Sequence, residues 1–163
     1  MNRKCTQAFT LIELLAVMTI ILVLAGLFVG VSGPASQSAK KRKAEVMISA
    51  LEVAISMYHA DTGSYPINNG GWTSASLYEY LVDPDNKYCA GGSAPIPGWA
   101  GPYMEFKGGD VNASREILDP WGTPYNYNAN PAYNPNNKNS FDMWSYGPDK
   151  TNDFGWDDDI RNW

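Results

Sequence analysis

The sequence predicts an α+β fold: a long N-terminal helix packed against a small three-stranded antiparallel sheet, with a loop-rich C-terminus. Three observations predict it. The apolar run from Phe9 to Val31 matches the roughly 20 residues of a bilayer-spanning helix. The next stretch, Ser38 to Pro66, repeats apolar residues at three- and four-residue steps. Beyond it, Gly, Pro and Asn cluster with most of the aromatics around short alternating runs, the pattern of strands joined by turns. The chain of 163 residues holds one domain of modest size beside the apolar segment.

The first element opens with MNRKCTQA and continues FTLIELLAVMTIILVLAGLFVGV. A secretory signal ordinarily places its small-residue cleavage site after the apolar core. Here the small residue, Ala8, precedes the core. Cleavage between Ala8 and Phe9 keeps the apolar helix on the mature chain and frees an amine one helical turn before Glu13. A charge near the start of a span costs roughly 2.5–3.5 kcal/mol on insertion scales, so Glu13 needs a counter-charge. Gly26, Gly30 and Gly33-Pro34 loosen the far end, where a kink or soft stretch is expected. Arg3 and Lys4 place the N-terminus in the cytoplasm. The basic group Lys40-Lys41-Arg42-Lys43 argues the other way, but it lies past Pro34, so the leader decides. The expected organisation is a leader over 1–8, a transmembrane helix over 9–31 and an extracytoplasmic globular domain over 32–163.

The globular part begins with a helical half-stem over about 36–60. Val46, Ile48, Leu51, Val53, Ala54, Ile55 and Tyr58 mark its apolar positions, with Val46, Ala50, Val53 and Met57 as part of the same stripe. Gly63 is the expected C-cap and Pro66 bars the helix from resuming. Ser74–Val82 reads as a short helix with Leu77, Tyr80 and Leu81 inward. Residues 86–101 read as irregular loop. Tyr103–Phe106, Tyr125–Tyr127 and Phe141–Tyr146 read as the three strands, and Asn128–Asn139 as a polar loop. Three strands laid on a helix bury its stripe where an isolated hairpin is not stable.

Composition narrows the function. The net charge of −5 argues against nucleic acid as a partner. Removing the leader removes Cys5 and leaves Cys89 alone, so no intrachain disulfide holds the mature fold. Cys89 reads as a small buried apolar side chain. His59, the single histidine, sits near a helix C-terminus with no nucleophile in a recognisable pattern beside it. Nor is there a phosphate-cradling Gly-rich loop with Lys-Ser/Thr, and an enzyme is not expected. Trp72, Trp99, Trp121, Trp144, Trp156 and Trp163 raise a membrane-anchored sugar-binding module as another reading, though most suit a small core better.

Asp149, Asp153, Asp157, Asp158 and Asp159 crowd the tail, with Lys150 and Arg161 to offset them. Held together in a folded loop they repel unless a cation sits among them. Calcium takes six to eight oxygens, and Gly147, Pro148 and Gly155 allow the chain to wrap around an ion. The spacing is not that of an EF-hand, and a solvated acidic tail is the alternative.

The basic leader, small residue and Phe9-Thr10-Leu11-Ile12-Glu13 resemble the type III signal of the type IV pilin-like superfamily. The later landmarks DTGSYP (61–66), WAGPY (99–103), DPWGTPY (119–125), FDMWSYGPD (141–149) and DDIRNW (158–163) resemble, in order, the major pseudopilin of the type II secretion system. The segment 67–98 departs from that family, and Lys150 stands where its glycine is usual. The resemblance implies that a prepilin peptidase cuts before Phe9 and N-methylates it, and that Glu13 pairs with a neighbouring subunit's N-terminus during assembly. It implies one structural calcium ion held by Asp149 and by a carboxylate from Asp157–Asp159, with Asp158 preferred, and by the carbonyls of Tyr146 and Thr151. It further implies a structural subunit polymerising from the bacterial inner membrane into a periplasmic pseudopilus that drives protein export. The implied partners are further copies, minor pseudopilins and an inner-membrane platform protein worked by a cytoplasmic ATPase. A type IV pilin or minor pilin for adhesion, motility or DNA uptake shares the stem, but usually carries a C-terminal disulfide. A plain signal anchor whose Glu13 snorkels to the interface is a further alternative.

Overall fold

In the computed structural model the described residues are 10–67, 74–82, 96–130, 136–137 and 139–163, apart from the side chains of 27–35 and 75–76. The chain divides into two compact units, Met1–Ser38 and Ala39–Trp163. Helix α1 (Leu11–Thr62) supplies backbone to both. Its assignment passes Pro34 without a break, so the expected interruption does not end the helix there.

In the first unit the apolar side chains from Leu11 to Leu24 are exposed. The described side chains of the apolar run reach only to Gly26. Among the described residues no helix is long and apolar enough to cross a membrane. The predicted cleavage site, Ala8 and Phe9, lies outside the described residues, as do Cys5, Trp72, Cys89 and most of segment 67–98.

In the second unit α1 buries Ala44, Ile48, Leu51, Ala54, Ile55 and Tyr58, the three- and four-residue spacing read from the sequence. Val46, Val53 and Met57 lie outside that stripe, at 68 %, 61 % and 51 % exposure. These three sit near one another on the opposite side of the helix, which the sequence assigned to the same stripe. Gly63, at φ 75°, ends the helix and donates its N–H to His59 O at 2.8 Å. Helix α2 (Ala75–Val82) turns Leu77, Tyr80 and Leu81 inward as expected. Ser74 precedes α2 and fastens it to a distant loop. Its Oγ accepts the Ile117 N–H at 2.9 Å and donates to the Ile117 carbonyl at 3.2 Å.

The sheet is antiparallel and three-stranded, in the order β1 (Asn126–Asn128), β2 (Asp142–Ser145), β3 (Ile160–Arg161). Tyr127 pairs with Met143, and Ser145 with Ile160. Tyr127, Met143 and Ile160 join the α1 and α2 side chains in one core.

Two of the three predicted strands hold, and one is corrected. Tyr103–Phe106 forms no strand; the third strand is Ile160–Arg161. The segment packs Tyr103, Met104 and Phe106 against the core and leaves Glu105 exposed, but helices rather than a neighbouring strand cover it. Tyr103 meets Tyr58 edge-on at 5.8 Å, and Phe106 packs on Tyr78 at 5.6 Å. Its backbone bond runs from Tyr103 N to Leu81 O at the end of α2, and Pro102 has no N–H to extend a ladder.

Candidate metal centre

The link from β2 to β3 carries the acidic run, and its backbone is bent sharply to do so. Gly147, Lys150, Phe154, Gly155 and Asp157 all have positive φ, between 53° and 81°. Gly147 is required by space as well. A Cβ there would stand 2.5 Å from the carbonyl oxygen of Asp158, so the two ends of the loop meet only over a glycine.

This closure brings Asp149, Asp153 and Asp158 together, one carboxylate oxygen from each within 4.8 Å of the others. Asp149 Oδ1 accepts the Thr151 N–H at 2.7 Å, and Asp158 Oδ2 accepts the Asp149 N–H at 3.3 Å. Partial burial, then the charges of Asp149, Asp157 and Asp158, raises the Asp153 carboxyl above its ordinary value. Asp159 is pushed up to about 6, first by burial, against the lowering effect of its bonds from Gly155 and Asp153. Its Oδ2 accepts those N–H groups at 2.8 and 3.1 Å.

Two oxygens give the fit test. Asp158 Oδ1 and Asp159 Oδ1 are buried with no hydrogen-bond partner among the described residues. Buried carboxylate oxygens without a donor, beside further carboxylates, are costly unless a cation completes them. The donor set is hard oxygen, which suits calcium or magnesium rather than a soft metal. The residues therefore fit a divalent cation.

Of the residues expected to hold the ion, Asp149 and Asp158 lie in the cluster. Asp157 is exposed and outside it; Asp159 is outside it too, with its Oδ2 tying down the loop backbone and its Oδ1 buried without a hydrogen-bond partner among the described residues. Tyr146 and Thr151 flank Asp149 in the chain; the Tyr146 hydroxyl bonds Asn126 Oδ1 at 3.1 Å. Asp153 is the member the sequence reading did not place among the ligands. No motif marks it; its place comes from the turns at Lys150 and Phe154.

Glu13 has a local role that the sequence also carried as a signal. Its Oε2 accepts from Thr10 N at 2.9 Å and Thr10 Oγ1 at 2.7 Å, and Glu13 N donates back to Thr10 Oγ1 at 3.4 Å. Thr10-Leu11-Ile12-Glu13 is thus a capping box, satisfying donors at the start of α1. The remaining described candidates divide between core and surface, with Trp156 exposed. His59 stacks on Tyr65 at 4.3 Å, and Trp121 and Trp144 are buried.

Comparison with known proteins divides the chain along the same lines. Residues 3–29 match the prokaryotic N-terminal methylation motif, and residues 33–163 match the family described as type II secretion system (T2SS), protein G. The type II secretion system core protein G of Escherichia coli is 35 % identical over 157 residues, covering 96 % of this chain and 90 % of the relative. The protein of that name from Pseudomonas aeruginosa is 33 % identical over 164 residues, covering 100 % and 99 %. Among solved structures, that of the major pseudopilin from the type 2 secretion system of enterohaemorrhagic E. coli is similar with a TM-score of 0.45, at 23 % identity over 80 % of this chain and 91 % of that one.

Proposed function

This chain belongs to the type II secretion system protein G family and is a structural subunit of its pseudopilus; from that premise we propose how it is processed, anchored and assembled. A prepilin peptidase cuts between Ala8 and Phe9 and methylates the new N-terminus. The mature helix over 9–31 sits in the bacterial inner membrane with the domain over 32–163 in the periplasm. Copies, with minor pseudopilins, are raised from the membrane by the platform protein, and the chain itself catalyses nothing. The observation that carries this reading is the methylation motif over 3–29 directly ahead of the secretion-family match over 33–163. The exposed apolar side chains from Leu11 to Leu24 support it, since such a surface needs lipid or other subunits to cover it. The pilus alternative is not favoured, because the long match is to the secretion family.

Calcium is the cation this reading assigns to the acidic cluster. Asp149, Asp153 and Asp158 would hold it, with loop carbonyls completing the shell. Bound there, it neutralises the repulsion among these acids and fastens the β2–β3 loop. Nothing else is required of it, since the role is structural.

The assembly role of Glu13 is tested by separating charge from capping. Glu13→Gln keeps an N3 side chain able to complete the capping box, whereas Glu13→Ala does not. If the charge pairs with a neighbouring Phe9 amine, both variants enter the membrane and neither forms filaments. Wild-type filament yield from Glu13→Gln would remove the charge-pairing role. A mature N-terminus other than Phe9 by mass spectrometry would overturn the processing.

A further inference from the structure

Two apolar surfaces on the globular unit are exposed among the described residues. One is the outer side of α1, where Ser49, Glu52, Val53, Ser56, Met57 and Ala60 line a shallow groove. Arg42 and Val46 continue this side toward the N-terminus at helical spacing: Arg42 is four residues before Val46, and Val46 is seven before Val53 and eleven before Met57. Arg42 is exposed and has no ion-pair partner among the described residues, while Lys43 is paired with Asp110 at 3.4 Å. The other surface is the tip of the β2–β3 loop. Phe154 and Trp156 stand out at 60 % and 62 % exposure.

That tip is built, not frayed. Phe154, Gly155 and Asp157 hold φ values of 55°, 81° and 53°. A bulky aromatic in the left-handed region is uncommon and costs energy. Gly155 fits because a Cβ would collide with the Trp163 ring. Arg161 lies over Trp156, 4.8 Å from its centroid, and fixes one side of the indole. The loop thus presents two aromatics beside the exposed carboxylate of Asp157.

We infer that these surfaces are the two halves of one contact between copies. Phe154 and Trp156 of one subunit seat in the α1 groove of the next, and Asp157 faces Arg42. The chemistry matches: aromatic anchors meet an aliphatic groove, and an acidic rim meets a basic one. The halves are two different patches of one chain, and in the pseudopilus reading the contact runs head-to-tail from copy to copy. Repeated, it yields an open helical array. This rests on the pseudopilus reading above and names the surface through which its globular units meet.

The test uses full-length subunits assembled in cells with their secretion system, in a Cys5→Ser, Cys89→Ser background. Val53→Cys and Trp156→Cys are placed together in one chain, and each is placed alone. Mild oxidation of filaments carrying both should give a ladder of covalent multimers, with no ladder from either alone. Arg42→Asp should lower filament yield at least tenfold, and adding Asp157→Arg should restore most of it. Filaments that carry both cysteines but give no ladder overturn this contact and leave the polymer reading standing. Unchanged yield from Arg42→Asp overturns it as well. Absence of filaments from the wild-type chain overturns the polymer reading, and this contact with it.

Discussion

The hydroxyl of Ser145 donates to Oδ2 of Asp119 at 2.6 Å, tying the end of β2 to a turn 26 residues upstream. The same carboxylate accepts from Trp121 N, Thr123 N and Thr123 Oγ1 at 2.9, 2.9 and 2.5 Å. Asp119 is buried, so every one of these donors loses its partner if the carboxylate goes. Asp119→Ala is expected to cost about 3 kcal/mol and Ser145→Ala about 1–2 kcal/mol. Urea denaturation of the two variants checks this. A loss below about 1 kcal/mol for Asp119→Ala would show that water replaces the carboxylate.

Chelation is expected to lower the melting temperature of the globular unit and open the 147–159 loop to protease. At calcium one hundred times its dissociation constant the stabilisation is about 2.7 kcal/mol. Asp158→Asn should abolish the calcium-dependent rise and Asp157→Asn should keep it, because Asp158 lies in the cluster and Asp157 outside it. Equal melting with calcium and with chelator would remove the metal assignment.

Two glycines with similar backbone angles should respond differently to alanine. At Gly122, φ is 85° and a Cβ meets open space, so Gly122→Ala costs about 1 kcal/mol from the backbone alone. Gly147, at φ 69°, faces the Asp158 carbonyl, so Gly147→Ala should cost about 2 kcal/mol or more and blunt the calcium response. Calorimetry with and without calcium separates them; matching losses would mean that the loop yields easily.

Alkaline pH should unfold the domain through its tyrosines. Burial, before any neighbouring charge, pushes the Tyr125 and Tyr127 phenols far above their ordinary value of 10.0. The unfolded chain then releases these protons first. Stability is fully present below about pH 10 and falls above it, by up to about 1.36 kcal/mol per pH unit for each phenol. Tyr125→Phe should reduce that slope at little cost near neutrality, since its hydroxyl reaches the Ala44 carbonyl only at 3.5 Å. Thermal melts from pH 9 to 11 give the slope, and an unchanged one in the variant would contradict this burial effect.

Both helices were legible because each buries a stripe whose period is visible in a single segment. Leu77, Tyr80 and Leu81 needed nothing beyond their own spacing. The sheet was half legible. Tyr103–Phe106 reads like a strand because its apolar residues are covered by helices, and an apolar pattern reports a covered face, not what covers it. Strand β3 was hidden because its two residues, Ile160 and Arg161, offer one apolar position, and their pairing with β2 is made by backbone. The metal cluster was legible in composition, while Asp149 and Asp158 came from family resemblance. Asp153 depends on left-handed turns at Lys150 and Phe154, which their residue types do not announce.

Ile160 follows Asp159 directly, and the bond from Asn162 Nδ2 to Glu52 Oε1, 3.2 Å, carries the same segment on to α1. Loop and sheet edge are consecutive along the backbone, and a side-chain bond joins them to the helix. On the calcium reading proposed above, a newly made domain kept where divalent ions are scarce would hold its last hem unstitched. Crossing into an ion-rich compartment would then be the moment at which the garment is finished.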